Sequence, residues 1–139
     1  MKEVVIVSYS RTPMGSFGGA LSSVSATKLG SIAIKGAMDK INLNPNTVNE
    51  VYMGNVISSG LGQAPAKQAA IFAGISDQTP CTTINKVCSS GMKAVMIGAQ
   101  SIQTGENNIV IVGGMENMSS IPFYVNDMRN GKKLGHTQI

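Results

Sequence analysis

Short, unbroken apolar runs alternate with segments of helical periodicity along this chain of 139 residues. We predict strands over residues 4–7, 50–57, 81–84 and 108–112. Residues 4–7 and 109–112 are consecutive apolar residues, so both faces of those two strands must be buried. Apolar residues at three- and four-residue spacing predict helices over residues 26–41, 66–73 and 89–104, the first capped by Ser25. This alternation predicts an α/β fold, a mixed and mostly parallel sheet with helices on both faces.

Composition and charge exclude several classes of protein. Hydrophobic residues make up 42% and charged residues 13%, which excludes intrinsic disorder. Eleven Lys and Arg against seven Asp and Glu are scattered, and aromatics are only 4%, so no nucleic-acid partner is expected. The amino-terminal apolar run has four residues, fewer than the roughly 7–15 of a secretory signal. No run approaches the roughly 20 residues of a membrane span, so we expect a cytoplasmic protein without a membrane partner.

The metal-ligating and nucleophilic residue types are few: Cys81, Cys88 and the single histidine His136. Their number and spacing do not fit a structural zinc site, and we expect no bound metal. We interpret Cys81 as structural and His136, in a polar segment, as a solvated loop residue that would have to fold back to reach Cys88. Three methionines either line a ligand pocket or fill gaps in a core: Met115, Met118 and Met128.

Cys88 precedes the most informative helix, whose predicted buried stripe is rich in small residues: Gly91, Ala94, Val95, Gly98, Ala99 and Ile102. The first turn of a helix presents unpaired N–H groups and a partial positive charge, and both favour a thiolate over a thiol. The same N–H groups can stabilise the oxyanion that forms when a thiolate attacks a carbonyl. Cys88 is therefore a candidate acyl-transfer nucleophile, and the alternative is a buried cysteine that acts as a small hydrophobe.

The loop over residues 60–65 follows a predicted strand and resembles the start of a dinucleotide-binding fingerprint. The third glycine or alanine of that motif would fall at Pro65, and the first strand–helix connection of the chain lacks the motif. We therefore do not expect nucleotide binding there.

Residues 85–95, NKVCSSGMKAV, resemble the nucleophile motif of thiolases, in which an asparagine stands three residues before the cysteine and a serine–glycine pair follows. Three further segments resemble thiolase motifs in family order: residues 11–21, residues 54–57 with 60–70, and residues 113–119. Together the four segments cover most of residues 1–135. The resemblance implies that the loop over residues 60–65 is part of the scaffold and not a nucleotide-binding motif.

The resemblance implies a coenzyme A–dependent acyltransferase that forms acetoacetyl-CoA from two acetyl-CoA, or catalyses the reverse thiolysis. By the same resemblance Cys88 is the acylated nucleophile, and its own backbone N–H belongs to an oxyanion hole. No permanently bound cofactor is implied: acetyl-CoA, acetoacetyl-CoA and CoA are substrates and products, and the residues that bind CoA are not assigned. Because members of this family are usually dimers or tetramers, the resemblance implies a homodimer or homotetramer for the complete enzyme.

The resemblance also implies a division of the chain into a thiolase N-terminal α/β domain over residues 1–118 and the start of a loop domain over residues 119–139. The histidine and second cysteine of the C-terminal thiolase motifs do not occur in this sequence. We therefore expect the isolated chain to be nearly inactive. Three alternatives remain: a non-catalytic or partner-dependent subunit with this fold, a longer-chain 3-ketoacyl-CoA thiolase, or a relative of the ketoacyl synthases, which fits the four motifs less well.

Overall fold

The computed structural model describes residues 2–125, which contain a three-stranded parallel sheet. The strands are β1 (Glu50–Gly54), β2 (Cys81–Ile84) and β3 (Val110–Gly114), in the spatial order β2-β1-β3. Val51 in the central strand lies opposite Cys81 on one side and Ile111 on the other. The α/β prediction is confirmed, and all pairs in this sheet are parallel.

The helices are α1 (Ala26–Asp39), α2 (Pro65–Phe72) and α3 (Ser90–Gln103), and single 3-10 turns lie at Pro45–Thr47 and Met118–Ser120. Ser25 caps α1 as predicted, because its Oγ accepts a hydrogen bond from the Lys28 N–H at 3.2 Å. Helices α1 and α2 pack together on one face of the sheet, and α3 covers the other face. None of the described helices is long and apolar enough to cross a membrane.

Side chains of β1 alternate between the two faces. Val51 and Met53 are fully buried in a cluster with residues of α1 and α2, among them Ile34 and three alanines of α2: Ala66, Ala69 and Ala70. Tyr52 and Gly54 point the other way, toward α3. The end of β1 therefore lies directly under the start of α3.

Helix α3 lies very close to the sheet because its inner stripe is small. A Cβ atom at Gly98 would collide with Val112 and lie 3.2 Å from Val110 Cγ2. The predicted small-residue stripe is confirmed at Ala94 and Gly98, which are buried. It is wrong at Val95, which is exposed because it lies one residue, or about 100°, around the helix from Ala94.

The predicted buried strand over residues 4–7 is wrong in the structure. Val5, Ile6 and Val7 are exposed, and no described strand pairs with them. The segment instead runs along the carboxyl end of α1, where the Ser8 Oγ donates to the Ala37 carbonyl at 2.7 Å. β-Branched residues favour an extended backbone, but a buried strand also requires a neighbouring strand, which residues 2–125 do not supply here.

Candidate active site

A cavity of about 390 Å³ opens at the carboxyl ends of all three strands. Its lining comes from the residues that follow β1, β2 and β3, together with the first turn of α3: Gly54, Val56, Val87, Cys88, Ser90, Gly91, Gly114, Met115 and Glu116. Open parallel sheets bind ligands at this edge because the loops and helix N-termini after the strands meet there. Cys88 is thus placed in the cavity that the fold favours for chemistry.

Cys88 lies two residues before the first residue of α3, and its side chain is exposed. The buried Ser90 fastens the turn, because its Oγ accepts from the Lys86 N–H at 2.8 Å and donates to the Val87 carbonyl at 2.6 Å. Ser89 occupies the N-cap position, but its side chain makes no capping hydrogen bond. The positive end of the α3 dipole therefore faces the cavity without a side-chain cap, and this end favours an anion.

The backbone immediately before the cysteine is strained. Val87 has a φ of 49°, in the left-handed region that β-branched residues rarely adopt. Such a residue costs about 1–3 kcal/mol and persists only where its surroundings hold it. Here the Asn85 Oδ1 accepts the Val87 N–H at 3.0 Å, and the reversal of the chain turns Cys88 outward.

Gly54 allows this turn to sit directly on the end of β1. A Cβ atom at position 54 would lie 2.6 Å from Gly91 N and 2.6 Å from the carbonyl carbon of Ser90, closer than real Cβ atoms approach other atoms. The absence of a side chain at this position is therefore a requirement of the site, as well as of the sheet.

Opposite the cysteine turn, a carboxylate ties the ends of β1 and β3 together. Glu116 accepts hydrogen bonds from the Val56 N–H at 2.8 Å, from the Ile57 N–H at 3.3 Å and from the Asn55 Nδ2 at 3.0 Å. Asn55 is 2% exposed and also donates to the Met115 carbonyl, but its Oδ1 has no hydrogen-bond donor within residues 2–125. A buried acceptor without a partner costs about 1–3 kcal/mol, so this arrangement is held by the rest of the network.

Sequence reasoning assigned no role to Glu116 or Asn55. For Glu116 the available signal was its position after the predicted strand over residues 108–112, where parallel strands bring polar residues together. Asn55 lay inside the predicted strand over residues 50–57, and only the earlier end of β1 at Gly54 places it in a loop. The interpretation of residues 113–119 as a motif included Glu116 but gave no reason for its charge.

The other candidate residues lie elsewhere. Cys81 is the first residue of β2, outside the cavity lining, where burial raises the pKa of its thiol and its Sγ donates to the Thr79 carbonyl at 3.3 Å. Met115 is buried and lines the cavity, whereas Met118 is 61% exposed. Met128 and His136 lie outside the described residues, as does most of the segment over residues 119–139.

The loop over residues 60–65 contributes no residue to the cavity. Within the described part of the chain, no three Cys, His, Asp or Glu side chains are grouped as a metal ion would require. Of the residues that the structure describes, those with polar side chains in the cavity lining are Cys88, Ser90 and Glu116, and the lining also includes the start of α3.

The fold and the cavity define an α/β domain that presents an exposed cysteine at the amino end of a helix. Residues 4–139 match the family model described as "Thiolase, N-terminal domain". The chain therefore belongs to the thiolase family, as its sequence motifs indicated.

Among curated proteins, the chain is 56% identical to the acetyl-CoA acetyltransferase of Schizosaccharomyces pombe over 99% of its own length and 35% of that protein. It is 56% identical to acetyl-CoA acetyltransferase 2 of Arabidopsis thaliana over 99% of its length and 34% of that protein. It is also 56% identical to the mitochondrial acetyl-CoA acetyltransferase of Homo sapiens, over 91% of its length and 30% of that protein. The chain thus spans about a third of the length of these relatives.

Proposed function

We propose that this chain is the nucleophile-bearing part of an acetyl-CoA acetyltransferase and that Cys88 is the residue that becomes acetylated. The observation that carries the proposal is the position of Cys88, exposed in the cavity at the end of α3 that favours an anion. The names of the 56% identical relatives supply the substrate class. Acetyl-CoA, CoA and acetoacetyl-CoA are then substrates and products, with no permanently bound cofactor.

In the first half-reaction the Cys88 thiolate attacks the carbonyl carbon of acetyl-CoA. A bond forms between Sγ and that carbon, the oxygen takes up negative charge, and backbone N–H groups of the turn, including that of Cys88, stabilise the charge. The bond from the same carbon to the CoA sulfur then breaks, and CoA leaves as a thiolate that takes up a proton.

In the second half-reaction a second acetyl-CoA loses a proton from its methyl group to a base. The resulting carbanion attacks the acetyl-cysteine carbonyl, so that a carbon–carbon bond forms and the Cys88 thiolate is released with acetoacetyl-CoA. Among residues 2–125, the cavity lining contains no histidine and no second cysteine for this proton transfer. We therefore assign the base to the remaining two-thirds of the protein represented by the relatives, and we expect this chain alone not to turn over. A homodimer or homotetramer and a cytoplasmic location stay predictions.

Intact-mass spectrometry of the 139-residue chain with acetyl-CoA tests the assignment of the nucleophile. We expect slow addition of one acetyl group, located at Cys88 by peptide mapping, and no sustained thiolysis of acetoacetyl-CoA. The matched variants are Cys88→Ala, which should lose the adduct, and Cys81→Ala, which should keep it.

An adduct that persists in Cys88→Ala, or the absence of any adduct in the parent chain, would contradict the assignment of Cys88. Sustained turnover by the short chain would contradict the assignment of the base to another part of the protein. A faster reaction with longer acyl-CoA donors would favour a 3-ketoacyl-CoA thiolase of broader chain length.

A further inference from the structure

The carboxylate of Glu116 is held in an unusual way for a partly exposed glutamate. Within residues 2–125, all of its hydrogen-bond donors are N–H groups of residues 55–57: the backbone of Val56 and Ile57 and the side-chain amide of Asn55. The one salt bridge within residues 2–125 is on α1, between Lys35 and Asp39. Glu116 therefore acts as an anion bound by a concave set of N–H groups, in the manner of a backbone nest.

The segment that Glu116 holds is in turn connected to the cysteine turn. The Val56 carbonyl accepts a hydrogen bond from Asn85 Nδ2 at 3.0 Å, and the Oδ1 of the same asparagine accepts the Val87 N–H at 3.0 Å. Val87 is the strained residue directly before Cys88. A continuous path of hydrogen bonds thus runs from the end of β3 through the end of β1 to the residues after β2 that carry the nucleophile.

Glu116 is not needed merely to join the strands. The end of β1 is already joined to β3 by the Met115 N–H, which donates to the Gly54 carbonyl at 2.9 Å, and by Asn55 Nδ2, which donates to the Met115 carbonyl at 3.1 Å. The carboxylate adds hydrogen bonds to the backbone N–H groups of residues 56 and 57, beyond the end of the sheet. Within the described chain, Asn85 connects this segment to the turn that contains Cys88.

We propose that Glu116 is a positioning residue for Cys88, acting through the backbone of Val56 and the side chain of Asn85. The proposal rests on the proposed function for its catalytic meaning, because it assumes that the Cys88 thiolate must be oriented toward an acyl carbonyl. The carboxylate fixes the Val56 carbonyl, Asn85 then fixes the Val87 N–H, and the strained backbone at Val87 keeps Sγ directed into the cavity. An orientation error of about 1 Å at a nucleophile can cost up to about a hundredfold in rate.

The test uses Glu116→Gln and Asn85→Asp, alone and together, in the 139-residue chain. Glutamine has the shape of glutamate but turns one acceptor oxygen into a donor facing N–H groups. Aspartate at position 85 keeps the acceptor for Val87 and loses the donor to Val56, so it cuts the path at one bond. Glu106→Gln, at an exposed glutamate outside the cavity lining, is the control for loss of one negative charge.

The first readout is hydrogen exchange of individual backbone amides by NMR, which does not depend on activity. Faster exchange at Val56 and Ile57 in Glu116→Gln would occur with a purely local role as well. We expect in addition that exchange of the Val87 amide, which Glu116 does not contact, becomes about tenfold faster through local opening. In Glu106→Gln the Val87 amide should exchange as in the parent chain.

The second readout is the rate of acetylation of Cys88 by acetyl-CoA. We expect each single variant to lose about tenfold, and the double variant to lose about as much as one single variant rather than the product of the two, because residues on one path are not independent. Unchanged Val87 exchange in Glu116→Gln, or multiplicative losses in the double variant, would overturn the positioning role. Failure of the proposed function gives a different result: no acetylation of the parent chain, with the Val87 exchange response intact.

Discussion

The two ends of the same three-stranded sheet contain the two cysteines of the chain in opposite environments. At the amino end, polar groups are tied to one another: Asn49 Oδ1 accepts the N–H groups of Asn108 and Ile109, and Asn107 Nδ2 donates to Glu50 at 2.9 Å. Cys81 begins β2 at this end and is half-buried. Among residues 2–125, the polar groups at this end are paired with one another and the Cys81 thiol is partly covered.

At the carboxyl end, the backbone is strained at Val87, the buried Asn55 Oδ1 lacks a donor within the described residues, and Cys88 is exposed in an open cavity. The strain at Val87 and the unpaired Asn55 Oδ1 each cost stability, and they occur beside the exposed Cys88 in the loops that follow the strands. The difference indicates that the amino end contributes paired polar contacts, whereas the carboxyl end accepts a local loss of stability around the exposed Cys88.

The largest expected effect is at the contact between β1 and the cysteine turn. Gly54→Ala places a methyl group 2.6 Å from Gly91 N, and backbone atoms cannot move aside as a flexible side chain can. We expect a loss of about 2–3 kcal/mol in the free energy of unfolding, typical of overpacking, measured by urea denaturation.

Gly91→Ala is the matched control for this change. A Cβ atom at position 91 would lie 3.8 Å from the Gly113 carbonyl oxygen, an ordinary contact distance, and the residue lies in the first turn of α3. We therefore expect Gly91→Ala to be neutral or to stabilise by up to about 1 kcal/mol, the usual difference between glycine and alanine in a helix. Equal losses in the two variants would mean that the close approach of β1 to the turn is not what holds the carboxyl end.

The next effect is a difference in reactivity between the two thiols. Burial raises the pKa of Cys81, which lowers its thiolate fraction near pH 8, and its Sγ is partly covered, whereas Cys88 is exposed. We expect iodoacetamide to label Cys88 at least about tenfold faster than Cys81 at pH 8, as measured by peptide mass spectrometry.

The ratio of the Cys88 labelling rate to the Cys81 labelling rate should fall as the pH rises through the raised pKa of Cys81, because the thiolate fraction of Cys81 then increases. In about 6 M urea, which unfolds the chain, the two cysteines should react at similar rates. This measurement is the control for their intrinsic reactivity. Faster labelling of Cys81 in the folded chain would reverse the comparison between the two ends of the sheet.

Features that depend on neighbouring residues in the chain were predictable from the sequence. The bounds of α1, α2 and α3 agree with the predictions to within about two residues, since periodicity, the Ser25 cap and the flanking glycines are local signals. The placement of Cys88 just before α3 follows from the same signals. β3 was predicted from an uninterrupted apolar run, and β1 and β2 from short segments between polar loops, although β1 ends three residues earlier than predicted.

Features that depend on residues far apart in the chain were not predictable. Residues 4–7 have a strand-like sequence, but whether a strand is buried depends on a partner, which the run itself does not specify. Glu116 and Asn55 are 61 positions apart, and only the parallel arrangement of β1 and β3 brings them together. The positive φ of Val87 runs against the preference of a β-branched residue, so sequence reasoning would assign the opposite conformation.

The smallest effect at neutral pH concerns Tyr52, which β1 directs toward α3. Burial, with a further contribution from the nearby Glu50 carboxylate, raises the pKa of Tyr52 from 10.0 to about 12. Because the pKa in the folded state lies above that of the unfolded chain, the neutral phenol stabilises the fold fully below about pH 10, and this contribution is lost as the pH rises from about 10 to 12. We expect the difference in unfolding free energy between the parent chain and Tyr52→Phe to be constant from pH 7 to 9 and to fall above about pH 10, measured by urea denaturation at each pH.

Tyr9→Phe, at an 80% exposed tyrosine, is the control and should not change the pH dependence of the unfolding free energy above pH 10. If Tyr52→Phe retained the full alkaline loss, the phenol would not be the group that titrates, and the burial of this tyrosine between β1 and α3 would have no consequence for stability.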